Sequence, residues 1–290
     1  MVKIGERVFV ETGFREGNVG LIKFRDEAIL VDFPPSPEEA ERWLRELEDL
    51  SPGPFRYLVV TDCHPLRLLG LQKISIPAVA HYNLREELIG AKSYFRLIFR
   101  ECYQKYYDGE PPESFEAFFP TLSFKGSATF HRGKDTVKLL AAEGPTPASV
   151  VVYLPGDKTL FAGALVVRGV HPDLRLAVSA RWIRNLKRLK SLPIEVVIPG
   201  QGEPCGPEAF DEMINYLSAV RSAVKEFYQA GKGRTDIFRL VNNFLPLWPY
   251  PPEQEEEIRN ILRIGLARIY DEIRAEETRS SSAPSAGASG

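Results

Sequence analysis

Asp62 and His64, a carboxylate and an imidazole on either side of Cys63, are the side chains of this sequence best suited to chemistry. Together they carry the donor atoms of a metal site or of an acid–base pair. Cys63 raises the idea of a thiol nucleophile beside His64. Adjacent loop residues diverge, however, and neither a separate base nor an oxyanion element can be argued, so a small residue packed under the loop is expected. Cys205 has no partner at C-x-x-C spacing. Arg67, three residues after His64, brings a permanent cation into the same stretch.

The elements around this stretch alternate between strand and helix patterns. Residues 7–10, 19–24 and 28–33 read as strands, the last two close enough to form a hairpin. From 36 to 50 the apolar residues recur at helical spacing behind an acidic start, and 51–54 stop the helix. A valine-rich strand at 57–61 leads into a loop at 62–73, then a strand at 76–80 and an aromatic-rich helical segment at 84–107. Strands are expected at 122–131, 137–142, 149–154 and 159–162, a helix from 174 to 190, a strand at 195–198, and helices at 208–230 and 253–275. Two stretches of sheet followed by helices imply an α/β fold with two sheets face to face, a four-layer αββα sandwich.

The domain reading is one αββα unit over 1–230 with a helical insert at about 84–119, a helical extension at 231–278 packed on it, and a tail at 279–290 too poor in apolar residues to order. The 290 residues suffice for a sizeable core without disulfides, and the 37 basic and 39 acidic side chains leave no field for nucleic acid or an anionic membrane. Arg181, Arg184 and Arg188 share a helical stripe, which a solvated helix face explains. Three widely spaced cysteines and the absence of a leader-like or membrane-length apolar run make the cytoplasm the expected location.

The order of short motifs resembles the metallo-β-lactamase superfamily, in particular its glyoxalase II-like hydrolases. The stretch from Thr61 to Gly70 stands where that family carries Thr-His-x-His-x-Asp-His-x-x-Gly. Residues 18–32 look like its opening hairpin, and His81, Asn83, Arg85 and Glu86 like its AHxNxRE stretch. Gly144 to Ser149 are similar to its GHTPGS turn, residues 161–164 to its FxGD turn, and residues 197–202 to its VxPGHG turn. Carried over position by position, the family's metal-binding residues fall on Asp62, His64, Leu66, Arg67, Pro145, Ala164 and Gln201, of which only His64 is the family residue.

A zinc or iron site needs several electron-pair donors converging at about 2.0 to 2.2 Å. Leu66, Ala164 and Pro145 have none, and Arg67 would repel a cation. The resemblance therefore implies the fold but a degenerate metal site: no cofactor is expected, with Asp62, His64 and Gln201 as remnants. Arg67 is expected to pair with Asp62 in the place of the metal's charge, with His64 and Gln201 completing a polar network. His81 is expected to tie a strand end to a helix, with a ligand contact as the sharper reading, and His131 and His171 to lie on the surface.

The resulting functional expectation is a catalytically silent binding or interaction protein. Its ligand would be a small molecule, anionic because of Arg67, or a protein, a second copy of the chain included. The aromatic insert would line the cleft or an interface. The rival readings are a divergent thioesterase-like or lactonase-like hydrolase with a mononuclear zinc, iron or manganese site on Asp62 and His64, and a structural subunit of a complex. Stable co-purification of another polypeptide would mark the subunit.

Overall fold

The computed structural model describes residues 1–50 and 53–282. Residues 51–52 of the expected helix stop, and 283–290 of the expected tail, lie outside that set.

Four short strands, β1 (Val2–Ile4), β2 (Val8–Glu11), β3 (Val19–Lys23) and β4 (Ala28–Val31), form an antiparallel meander. Helix α1 (Pro37–Leu50) then connects to β5 (Phe55–Val59), and α2 (Pro65–Leu69) to β6 (Ala78–His81). Helices α3 (Tyr82–Ile89) and α4 (Ser93–Gln104) precede β7 (Leu122–Phe124). Strands β4 to β7 run parallel, which completes a seven-stranded sheet in the order β1 to β7.

The second sheet holds β8 (Ser127–Arg132), β9 (Asp135–Ala141), β10 (Val150–Leu154) and β11 (Thr159–Val167); α5 (Ser179–Leu189) then crosses over to β12 (Val196–Gln201). Its order is β12-β11-β10-β9-β8, antiparallel except for the β11–β12 pair. Three further helices follow, α6 (Glu208–Gln229), the short α7 (Val241–Phe244) and α8 (Glu255–Ser282).

Strand periodicity explains the layering. In β4, Ala28 and Leu30 face the α1–α4 helices, while Ile29 and Val31 face the other sheet. In β10, Val150, Val152 and Leu154 face inward, and Val151 and Tyr153 face α5, α6 and α8. The central strands of both sheets are buried on both faces, so helices cover the outside and the expected four-layer αββα sandwich is present. The sheets approach closely enough at Gly20 that a Cβ there would stand 2.2 Å from the Phe161 ring.

Several boundaries differ from the sequence expectation. The strand expected over 122–131 is two strands in different sheets, because Gly126, at φ 71°, turns the chain from one sheet to the other. The expected loop 62–73 contains α2 and a 3-10 turn at Gly70–Lys73. The segment 84–107 breaks after Gly90, where Lys92 is extended, and the helix expected from 174 starts only at Ser179. Strand β1 was not expected at all.

Candidate functional site

All seven positions singled out above, Asp62, His64, Leu66, Arg67, Pro145, Ala164 and Gln201, line one cavity of about 460 Å³. They come from the α2 loop, the turn before β10, the middle of β11 and the end of β12. The loops at the ends of parallel strands in an α/β sheet are where ligands usually bind.

Local folding fixes the α2 loop. His64 caps α2, its Nδ1 accepting the Leu66 N–H at 3.3 Å, and Pro65 occupies the first turn where its missing N–H costs nothing. Asp62 Oδ1 accepts the His64 N–H at 2.8 Å, and the Asp62 residue is 1% exposed. Cys63 is buried with its thiol pushed up to about 12, chiefly by that burial, so it is not a thiolate nucleophile near neutral pH.

Arg67 does not pair with Asp62 as expected. Its Nη1 lies 3.5 Å from Asp32 Oδ2 and donates to the Asn18 carbonyl at 3.4 Å. Two local features explain the correction. Asp32 follows β4 with φ 54°, a left-handed conformation that is strained for aspartate, and its carboxylate accepts Thr61 N–H at 2.9 Å and Thr61 Oγ1–H at 2.7 Å. Gly17, at φ 132°, also leaves room for the guanidinium, since a Cβ there would stand 3.1 Å from Arg67 Nη2. Burial pushes the Asp32 carboxyl up, the Arg67 charge pulls it down, and nearby Asp62 pushes it up again, for a net rise.

His64 belongs to a network the sequence did not reveal. Its Nε2 lies 3.2 Å from Asp173 Oδ2, and because Nδ1 accepts from the backbone, the proton of the neutral ring is on Nε2 and donates to that carboxylate. Asp173 also accepts from Arg175 N–H at 2.9 Å, Nε at 3.0 Å and Nη2 at 2.7 Å, and Arg175 Nη1 donates to Glu101 at 3.2 Å. Burial alone would raise the Asp173 carboxyl; the His64 hydrogen bond and the Arg175 charge outweigh it and hold the group far below the usual carboxylate range.

The cleft is walled and roofed by later elements. Lys105, at the C-terminal cap of α4, bridges Glu16 at 2.8 Å and Glu257 at 3.3 Å, and the Tyr106 hydroxyl donates to Glu16. Tyr250 and the first turns of α8, including Ile258 and Ile261, cover the cavity from the C-terminal side. Gln201 is partly buried, its Nε2 3.5 Å from the Arg15 carbonyl.

Other expected residues lie elsewhere. The insert lends the cavity Glu101, Cys102 and Lys105 but none of its rings; Phe95, Phe99, Phe115 and Phe118 are buried together, Phe99 and Phe115 at 4.9 Å between centroids. His81 is not among the cavity-lining residues: it ends β6, caps α3 through the Asn83 N–H at 3.2 Å, and packs edge-on against Phe124. His131 is exposed, whereas His171 is not on the surface as expected; it lines the cleft with Nε2 3.1 Å from the Leu245 carbonyl. Arg181 is paired with Glu143, and Arg188 donates to the Ala141 carbonyl.

The donor set does not fit a divalent metal centre. Three of the seven positions are hydrocarbon, one is a buried guanidinium, and His64 has both ring nitrogens engaged. Among the described residues no three His, Cys, Asp or Glu side chains are grouped to hold a metal ion. No described helix is long and apolar enough to cross a membrane.

Residues 12–201 match the sequence profile of the metallo-beta-lactamase superfamily. A linear primary-alkylsulfatase of Pseudomonas sp. (strain ATCC 19151) is 21% identical over 227 residues, 67% of this chain and 43% of that protein. The chain thus spans less than half the length of that curated relative. Among solved structures, a metallo-beta-lactamase from Pontibacter korlensis superposes with a TM-score of 0.57 at 21% identity, covering 75% of this chain and 97% of its own. DIM-1 metallo-beta-lactamase gives 0.57 at 20% identity, and 0.59 at 21% in a form exposed to ceftazidime, each covering 75% of this chain and 95% of its own.

Proposed function

The chain belongs to the metallo-beta-lactamase superfamily, and we propose that it uses that fold without a metal, as a binding protein whose cleft takes a small anionic ligand at Arg67. The observation that carries this reading is Arg67 itself, which lines the cavity at a position where the family binds metal and is ion-paired to Asp32 behind it. A guanidinium there repels a divalent cation and attracts a carboxylate, sulfate or phosphate. Its Nε and Nη2 make no hydrogen bond among the described residues, so two donors are available to a ligand. In this reading the site is degenerate and the protein catalytically silent. Its setting is the cytoplasm, where Cys63, Cys102 and Cys205 remain thiols.

The relative's name indicates a substrate with a sulfate head and a linear alkyl chain. The cleft suits such a shape, since Val167, Val170, Leu176, Tyr250, Ile258 and Ile261 supply apolar wall beside the charged floor. The same name favours a second reading, a divergent hydrolase with a mononuclear site on Asp62 and His64. That reading requires His64 to release Asp173 or the Leu66 N–H before it can bind an ion.

Two measurements separate them. Protein purified without chelators is expected to carry far less than one zinc, iron or manganese per chain by elemental analysis. One ion per chain, lost in His64→Ala, would establish the hydrolase instead. Octyl sulfate is expected to bind saturably in calorimetry and to lose its binding in the Arg67→Met, Asp32→Asn double variant, which leaves no buried carboxylate without its cation. Unchanged affinity in that variant would remove Arg67 from ligand recognition.

A further inference from the structure

We propose that the ligand of this cleft is a zwitterion: an apolar chain carrying an anionic group, held by Arg67, next to an ammonium group, held by Asp62. The proposal rests on the reading of Arg67 as the anion's partner and adds the second charge.

Lys105 is shared by Glu16 and Glu257, Arg175 by Asp173 and Glu101, and Arg67 has Asp32. Asp62 is the cavity-lining carboxylate that no cation reaches within ion-pair distance among the described residues. Its Oδ1 accepts the His64 N–H, and its Oδ2 accepts no hydrogen bond among the described residues. A carboxylate 1% exposed is costly to leave unmatched, and it faces a cavity large enough for a ligand.

The missing partner has to be a cation or a strong donor. A divalent metal would need further donors, and the neighbouring positions hold Leu66, Ala164 and the like-charged Arg67. An ammonium group needs no such set of converging lone-pair donors and brings one charge to match the one carboxylate. The sum of charges agrees: five acidic and four basic side chains line the cavity, so a bare anion would add to an acidic surplus that a zwitterion leaves unchanged. The apolar wall formed by Val167, Val170, Tyr250 and Ile258 then takes the chain of an amino-acid-like amphiphile.

Calorimetry on the full chain with 2-aminooctanoate, octanoate and octylamine tests this. We expect 2-aminooctanoate to bind about tenfold or more tighter than either singly charged analogue. Asp62→Asn still offers an oxygen to the His64 N–H, and in it the affinity for 2-aminooctanoate should fall to that for octanoate. Equal affinity of wild type for octanoate and 2-aminooctanoate, no binding of 2-aminooctanoate, or a full preference surviving in Asp62→Asn would each overturn the proposal. Octanoate binding that disappears in the Arg67→Met, Asp32→Asn double variant, with no gain from the ammonium, would sink the zwitterion alone and leave the anion reading standing. A gain from the ammonium that vanishes in Asp62→Asn yet persists in the Arg67→Met, Asp32→Asn double variant would uphold the role of Asp62 and sink the anion reading.

Discussion

Exchange of Arg67 for methionine is expected to destabilise the fold by about 4 kcal/mol at pH 7 but by only about 1–2 kcal/mol at pH 5. Methionine fills a similar volume, so the loss is electrostatic: Asp32, 3% exposed, keeps its Thr61 hydrogen bonds but loses its cation. The folded protein escapes by protonating Asp32, whose carboxyl is already raised by burial and by Asp62 despite Arg67. That protonation limits the cost, because taking up a proton above the ordinary aspartate pKa of about 3.9 costs about 1.4 kcal/mol per pH unit. A carboxyl raised on folding favours the native state less as pH climbs from its unfolded value toward its folded one, so the deficit shrinks in acid. Adding Asp32→Asn should recover most of the loss at pH 7, since the amide oxygen can still accept the Thr61 N–H. Urea midpoints at both pH values decide: an equal deficit at pH 5 and pH 7, or no recovery in the double variant, would show that the Arg67–Asp32 pair does not carry this energy.

That pair also marks where sequence reasoning reached its limit. The buried strands were legible as short continuous apolar runs, as in Ala28 to Val31, and α1 because Ala40, Trp43 and Leu47 recur at helical spacing. The seven cleft positions were legible through the resemblance, and the structure brings all of them to one cavity. The partners of those residues were not. The exchange of a metal ligand for a cation beside a retained carboxylate points to an Arg67–Asp62 pair, whereas the true neighbour is 35 residues away just after β4, in a left-handed conformation that nothing in the local sequence announces. The passage between sheets at Gly126 was hidden for a related reason, since a single glycine inside an alternating run reads equally as a bulge. The helices at the C-terminus were visible as helices, but periodicity says nothing about what an apolar stripe covers, so the roof formed by Tyr250 and α8 could not be foreseen. Asp173 has a local signal of its own, since Asp173-Leu174-Arg175 follows His171-Pro172 in a stretch without regular structure, where a carboxylate can accept the N–H two residues on.

Asp173 carries the other large effect. Asp173→Ala is expected to cost about 3 kcal/mol at pH 7, the low end for breaking a buried pair, because the carboxylate keeps 29% of its side-chain surface in solvent while Arg175 keeps only 8%. The sign of the pH dependence is opposite to that at Asp32. A carboxyl held below its unfolded value stabilises the fold fully above that value and loses its contribution as pH falls toward the folded one. Wild type should therefore lose stability steeply between about pH 5 and pH 2, while Asp173→Ala shows a flatter profile and the two curves converge in acid. Asp173→Asn keeps an acceptor for His64 and Arg175 without the charge, and should lie between them. Parallel curves would mean that Asp173 does not hold His64 and Arg175 electrostatically. His64 Nε2 would then be free for an ion, and the mononuclear hydrolase would regain the residue that the metal-free reading takes away from it.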